Sequence, residues 1–287
     1  MQLGVVFPQL EIGTDPEGLR QYARAVAEMG YRHLVAYDHV VGADPAAHPG
    51  WSGPYDIDST FHEPFTLFSY LAAVAPELEL ATAVIILPQR QTVLVAKQAA
   101  QVDILTRGRF RLGVGIGWNP VEYEALGMNF GDRGRRFEEQ IELMRLLWTR
   151  RRVDFQGRWH RVTGAGINPL PVQRPIPVWF GANSEPALRR AARMGQGLFT
   201  LRPLPEGWPA TLQRLRQWRE EAGLDPAQFA IEARLNVAEH PPDYWRRKAD
   251  EWRALGAAYL QINTMRCGLQ GPQAHIDMLA RVMKALS

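Results

Sequence analysis

The chain has 287 residues, 46% of them hydrophobic and 22% charged, a balance that suits a globular protein large enough to close one apolar core. Its formal charge of +3 rests on arginine, since only Lys97, Lys248 and Lys284 are lysines; most arginines lie beside Glu or Asp in helical patterns, so no nucleic-acid partner is expected. The longest apolar runs, such as 80–87, fall far short of the roughly 20 residues that span a bilayer, and the single Cys267 excludes an internal disulfide or a multi-cysteine metal site.

The chain opens directly into Leu3-Gly4-Val5-Val6-Phe7, without a basic start or a long apolar segment, so a cytoplasmic location is the expectation. In chain order, strand-like apolar runs then alternate with amphipathic helical stretches. Strand 3–7 leads to helix 16–29, 33–37 to 64–75, 79–87 to 92–105, and 109–115 to 134–151. The second half repeats the pattern: 177–181 leads to 185–194, 197–201 to 210–222, 229–237 to 242–255, and 257–263 to 273–286. Such alternation marks parallel βα units. Eight of them predict an α/β fold, a (β/α)8 TIM barrel formed by one domain over residues 1–287, in preference to an open doubly wound sheet. Two stretches break the rhythm. Residues 42–62, rich in Pro, Gly, Asp and aromatics, follow the second strand, and 155–175 reads as a short hairpin with a Pro-rich return. Periodic units resume after both, so they are rim insertions and not linkers.

Barrel enzymes place their sites at the carboxyl ends of the strands. The first strand ends in Phe7-Pro8-Gln9, with no His-x-His or carboxylate cluster, which argues against a metal-dependent hydrolase. The second ends in Asp38 and His39, a pair able to move a proton or to tie down the following loop. Gly113, Gly115 and Gly117 end the fourth strand, where missing side chains let a flat ring or a phosphate approach the backbone or simply fit the taper of a barrel. Their spacing does not satisfy the dinucleotide fingerprint. Gly181-Ala182-Asn183-Ser184 precedes a helix whose N-terminus suits an anion, although ordinary capping uses the same residues, and Glu185 opposes one. Trp118 has two readings, a stacking platform or a plug in the barrel mouth.

At these residues the chain resembles the bacterial-luciferase-like family, in particular its branch of deazaflavin-dependent oxidoreductases. The likeness is carried by Tyr37-Asp38-His39-Val40, by LATAVIILPQRQTVLVAKQAAQVDILTRGRFRLGVGIGWNPVEYEALG over 80–127, by RGRRFEEQIELMRLLW over 133–148, and by PIPVWFGANSEPALRRAA over 175–192. It is strong over residues 1–200 and topological beyond them. The resemblance implies a tricyclic cofactor, coenzyme F420 or FMN, with its ring in the barrel mouth and its phosphate between the fourth and fifth strand ends. It also implies a non-proline cis peptide at Ala83–Val84 as the bulge supporting the ring. By residue matching, His39 is the active-site histidine with Asp38 beside it. Ile116, Gly117 and Trp118 match the fourth-strand contacts, Gly181 to Ser184 match the phosphate loop, and Phe7, Val84 and Gly115 are expected to line the cleft. One departure stands out: some deazaflavin sugar dehydrogenases carry Glu where this chain has Trp118, so their proton donor is missing and sugar-phosphate oxidation does not transfer. The implied activity is hydride transfer between coenzyme F420 and an organic substrate. An FMN-dependent monooxygenase and a non-catalytic flavin-binding barrel are the alternatives. Expected partners are a small organic molecule and, in assembly, a second copy of the chain as a homodimer. Arg133, Arg135, Arg136 and Arg202 are expected near the cofactor exit, where they would favour the acidic tail of coenzyme F420 over FMN, unless they are spent on Glu138, Glu139 and neighbouring helices.

Overall fold

A computed structural model describes residues 1–238 and 240–286. Strands β1 (Gln2–Val6), β2 (His33–Ala36), β3 (Glu79–Thr82), its short continuation β4 (Ile85–Ile86) and β5 (Phe110–Gly115) form the first half of a barrel. A separate antiparallel hairpin, β6 (Val153–Gln156) and β7 (Arg161–Ala165), follows. Strands β8 (Val178–Ala182), β9 (Gly197–Thr200), β10 (Ala230–Asn236) and β11 (Tyr259–Asn263) complete the barrel. Pairing runs in parallel through β3, β2, β1, β11, β10, β9, β8 and β5, and β3 pairs β5 to close the ring. The predicted closed eight-stranded barrel is therefore present, with β3 and β4 as two halves of one staggered strand.

Helices α1 (Pro16–Glu28), α2 (Pro64–Val74), α3 (Thr92–Leu105), α4 (Pro120–Ala125) and α5 (Arg133–Thr149) accompany the first half. Helices α6 (Glu185–Met194), α7 (Trp208–Glu221), α8 (Pro242–Ala254) and α9 (Gly271–Leu286) accompany the second. Their starts are written locally. Asp15 accepts from the N–H groups of Glu17 and Gly18 ahead of Pro16, and Glu63 accepts from Thr66 N–H ahead of Pro64. Among the described residues, α4 is the one α-helix that the periodic reading did not anticipate, since six residues are too few to display a period.

Alternation along each strand divides the apolar residues between two compartments. Val5, Leu34, Leu80, Leu112 and Leu260 point outward into the layer under the helices, whereas Val6, Val35, Ala81, Trp179 and Phe199 form a second cluster in the lumen. Glycines make room for the large lumen groups. A Cβ on Gly4 would overlap the His33 ring, and one on Gly197 would lie 2.5 Å from Trp179. At the amino end the lumen is closed by charge. Arg111 pairs with Glu79 and, at 2.6 Å, with Glu232, which also meets His33 at 3.0 Å. The Arg111 guanidinium lies 4.4 Å from the Trp179 ring centre and 4.3 Å from that of Tyr259. With this end plugged, the space inside the barrel lies toward the carboxyl ends.

Candidate active site

A cavity of about 530 Å3 opens where the strands end, lined by residues following β2, β3, β5 and β8 together with Leu201 and Arg234. Beyond β2, Tyr37, Asp38 and His39 turn over the rim. Asp38 is only 3% exposed, and both of its oxygens are engaged. Oδ1 accepts from Arg90 at 2.7 Å and Oδ2 accepts from the Ile86 backbone N–H at 3.0 Å. Burial pushes this carboxyl above its ordinary range, against the pull of the Arg90 guanidinium. Asp38 thus ties the end of β2 to β4, directly past the bulge.

The bulge carries the cis peptide Ala83–Val84 expected from the resemblance. Its Val84 side chain lies over two of the singled-out glycines: a Cβ on Gly115 would come within 2.7 Å of it, and one on Gly181 within 3.0 Å. Gly113 makes room for Phe199 and the Thr82 carbonyl, and Gly117 has φ +67°. These glycines first serve the barrel's own packing, and through it they set the shape of the cavity wall.

His39 sits in an aromatic box, with ring centres of Phe61 at 4.8 Å, Tyr55 at 5.0 Å and Trp118 at 5.6 Å. Two of the three come from the 42–62 insertion, whose Trp51 also packs on Trp118 at 5.6 Å. His39 Nδ1 is 3.3 Å from Glu122 Oε2, and the other Glu122 oxygen accepts the Val40 N–H. Burial disfavours the Glu122 charge, but the bonds from His39 and Val40 outweigh it and hold the carboxyl below its ordinary range. An acceptor fixed at Nδ1 selects the tautomer that leaves Nε2 able to take a proton. Sequence reasoning missed Glu122. It is presented by α4, whose N-cap Asn119 accepts from the N–H groups of Val121 and Glu122, and the Asn-Pro start of NPVEYEA was the available signal.

On the far wall, Gly181, Ala182, Asn183 and Ser184 line the cavity. Ser184 is the N-cap of α6, yet its side chain makes no capping bond, and Asn183 and Ser184 are both exposed. Arg133 faces the same space, stacked on Phe130 at 3.6 Å and donating to the Phe130 carbonyl at 2.7 Å. Free helix N–H groups, an unused hydroxyl and this guanidinium form a donor set that fits a phosphate. The other arginines expected here are elsewhere. Arg136 is 5% exposed and bound to Asp132 and to the Pro88 and Asn129 carbonyls, while Arg135 and Arg202 are exposed and do not line the cavity.

Of the predicted site residues, Asp38, His39, Ala83, Val84, Gly115, Ile116, Gly117, Trp118 and Gly181 to Ser184 all converge on the cavity. Phe7 does not. It is fully buried outside the barrel wall, edge-on to Tyr22 at 5.8 Å and His62 at 5.7 Å. Its neighbour Val6 takes the inward register, and in a strand one residue's shift reverses the face. The structure adds Tyr37, Tyr55, Leu201 and Arg234 to the lining. The signal for Arg234 was charge at i and i+2, Glu232 and Arg234, inside an otherwise apolar strand.

A family model described as luciferase-like monooxygenase matches residues 1–275. An uncharacterized protein of Mycobacterium tuberculosis is 34% identical over 228 residues, which cover 76% of this chain and 76% of that one. Among solved structures, the monooxygenase RslO1 from Streptomyces bottropensis has a TM-score of 0.78 at 20% identity, covering 99% of this chain and 97% of that chain. The coenzyme F420-dependent tetrahydromethanopterin reductase from Methanopyrus kandleri has a TM-score of 0.76 at 13% identity, covering 100% and 99%. At such identities the structural likeness is one of fold.

Proposed function

Because the chain belongs to the luciferase-like monooxygenase family, we propose that it is a flavin- or deazaflavin-dependent oxidoreductase whose cofactor ring occupies the carboxyl-end cavity. The observation that carries this reading is the convergence, on one cavity, of the Ala83–Val84 bulge, the uncapped Ser184 turn with Arg133, and His39 with a free Nε2. When bound, coenzyme F420 would supply a two-electron carrier that exchanges a hydride with an organic substrate. Ser184, Asn183 and Arg133 would hold its phosphate, and Val84 with Ile116 would support its ring.

The chain's own residues then have distinct tasks. His39 Nε2 takes or gives the proton that accompanies oxidation or reduction of the substrate, with Glu122 fixing the tautomer and stabilising the charged ring. Asp38 and Arg90 position the bulge. Trp118, Trp51, Tyr55 and Phe61 keep water from the histidine. Position 118 holds Trp and not an acidic group, so in this reading His39 is the proton carrier.

A second reading, FMN in place of coenzyme F420, is favoured by one observation. Only Arg133 of the four arginines expected at the exit lines the cavity, a cation count that serves a cofactor ending at its phosphate. The test is the absorbance spectrum of the purified protein followed by titration with each cofactor. Tight binding of coenzyme F420, with hydride exchange in single turnover, supports the first reading. Tight binding of FMN alone replaces it with the second, and binding of neither removes both.

A further inference from the structure

Resting on that reading, we propose that the substrate is an organic carboxylate with an apolar body, received by Arg234 together with the hydroxyls of Tyr37 and Tyr55. Arg234 lies on the inward face of β10, two residues beyond Glu232, and lines the cavity. Among the described residues it has no carboxylate partner; its one hydrogen bond is to the Tyr37 hydroxyl at 3.3 Å. Three carboxylates of the lumen and its rim are already matched. Glu232 is held by Arg111 and His33 below, Asp38 by Arg90 and the Ile86 N–H, and Glu122 by His39 and Val40.

The charged groups lining the cavity are thus Asp38, neutralised from behind, with Arg133 and Arg234. Two unpaired guanidiniums call for two anions, and they sit in different surroundings. Arg133 lies with the Ser184 turn, where the phosphate donors are. Arg234 emerges from β10, facing Tyr37 across the lumen, with Tyr55 also on the lining. The guanidinium fork matches a planar carboxylate with two parallel N–H bonds. The Tyr37 hydroxyl already accepts from Arg234, so its own proton remains to donate. Within the lining on this side, one guanidinium and two phenols balance one negative charge, which favours a carboxylate over a phosphate dianion; Arg266, 5.4 Å from the Tyr55 ring centre, does not line the cavity and donates to the Pro54 carbonyl. Leu201, Val84, Ile116 and Trp118 supply the apolar wall for the rest of the molecule.

The test is calorimetric titration of the whole protein with benzoate and hexanoate, against their neutral isosteres benzamide and hexanamide, with and without saturating cofactor. Wild type should bind the acids at least about tenfold more tightly than the amides, with the preference shrinking as salt rises. Arg234→Gln should erase the preference, Arg234→Lys should keep part of it, and Tyr37→Phe should reduce it a few fold. Coenzyme F420 and FMN affinities should stay within about twofold in all three variants, and circular dichroism should report an unchanged fold. Equal binding of acids and amides to wild type, or a preference that survives Arg234→Gln, overturns the proposal. So does a tenfold or greater loss of cofactor affinity in Arg234→Gln, which would assign the residue to the ring. If wild type takes up neither cofactor while the acid preference holds, the cofactor reading fails and the carboxylate site stands.

Discussion

Strand β10 puts two charged side chains into the same lumen, Glu232 toward the amino end and Arg234 toward the carboxyl end, and they have opposite fates. Glu232 is fully buried, with Arg111 at 2.6 Å and His33 at 3.0 Å. Arg234, one layer higher, has a phenol at 3.3 Å and no carboxylate among the described residues. Interior charge is costly unless it is paired. At the closed end the chain supplies the pair itself, with aromatic rings around Arg111. At the open end no such partner is supplied, and the proposed cofactor and carboxylate would bring the pairing groups.

The largest effect should come from breaking the closed end. Arg111→Met leaves Glu232 and Glu79 without their cation, and urea unfolding should report a loss of about 3–5 kcal/mol. Arg234→Met, on β10 one inward position nearer the carboxyl end than Glu232, should change stability by less than about 1 kcal/mol. Comparable losses in both would break the contrast. Next comes the proposed proton handler of the open end: His39→Ala should lower turnover about 10²-fold while cofactor affinity, measured by titration, changes far less. Equal losses would make His39 a positioning residue. Smaller still, Glu122→Gln keeps an acceptor for the Val40 N–H but removes the charge behind His39, so turnover should fall about tenfold with the circular dichroism unchanged. A wild-type rate would leave Glu122 as a loop anchor only.

The gentlest probe is pH, because it separates the saturated lumen from the rest of the fold. The Glu232 carboxyl is held below its ordinary 4.5: burial opposes its charge, but Arg111 and His33 prevail. A depressed carboxyl contributes stability above 4.5 that is lost as pH falls through its folded value, so the lumen pairs should be silent in weak acid. His275, buried with Nδ1 2.8 Å from the Thr264 hydroxyl, is pushed down by burial from 6.5 to about 4. Its contribution is present above 6.5 and is lost as pH falls through about 4. Tm should therefore decline from pH 6.5 toward 4.5 in wild type and less so in His275→Gln. An undiminished slope in that variant would place the acid-sensitive group elsewhere.

Much of this was legible residue by residue. Helices 92–105 and 185–194 begin and end where the pattern put them, because the extent of a helical run and the proline in the first turn of α6 are local facts. The cavity residues around the glycines were found through motifs. Three features escaped. Phe7 was placed on the wrong face because a strand's register cannot be read from its end. Arg136 was expected either free at the cofactor exit or paired with Glu138, Glu139 and neighbouring helices, whereas Asp132 and two carbonyls consume it. Glu122 went unnoticed because α4 is too short to show a period.

The sequence by itself determined the order of βα units, and with it the closed barrel, because periodicity and capping act over neighbouring residues. It also determined which strand ends carry the chemistry-bearing types. Only the tertiary structure decided which charges are spent and which remain available. Arg111 meets Glu232 across 121 positions, His39 meets Glu122 across 83, and Arg234 meets Tyr37 across 197. Such partnerships are set by ring closure, which brings distant strands within hydrogen-bond reach, and no local pattern encodes them.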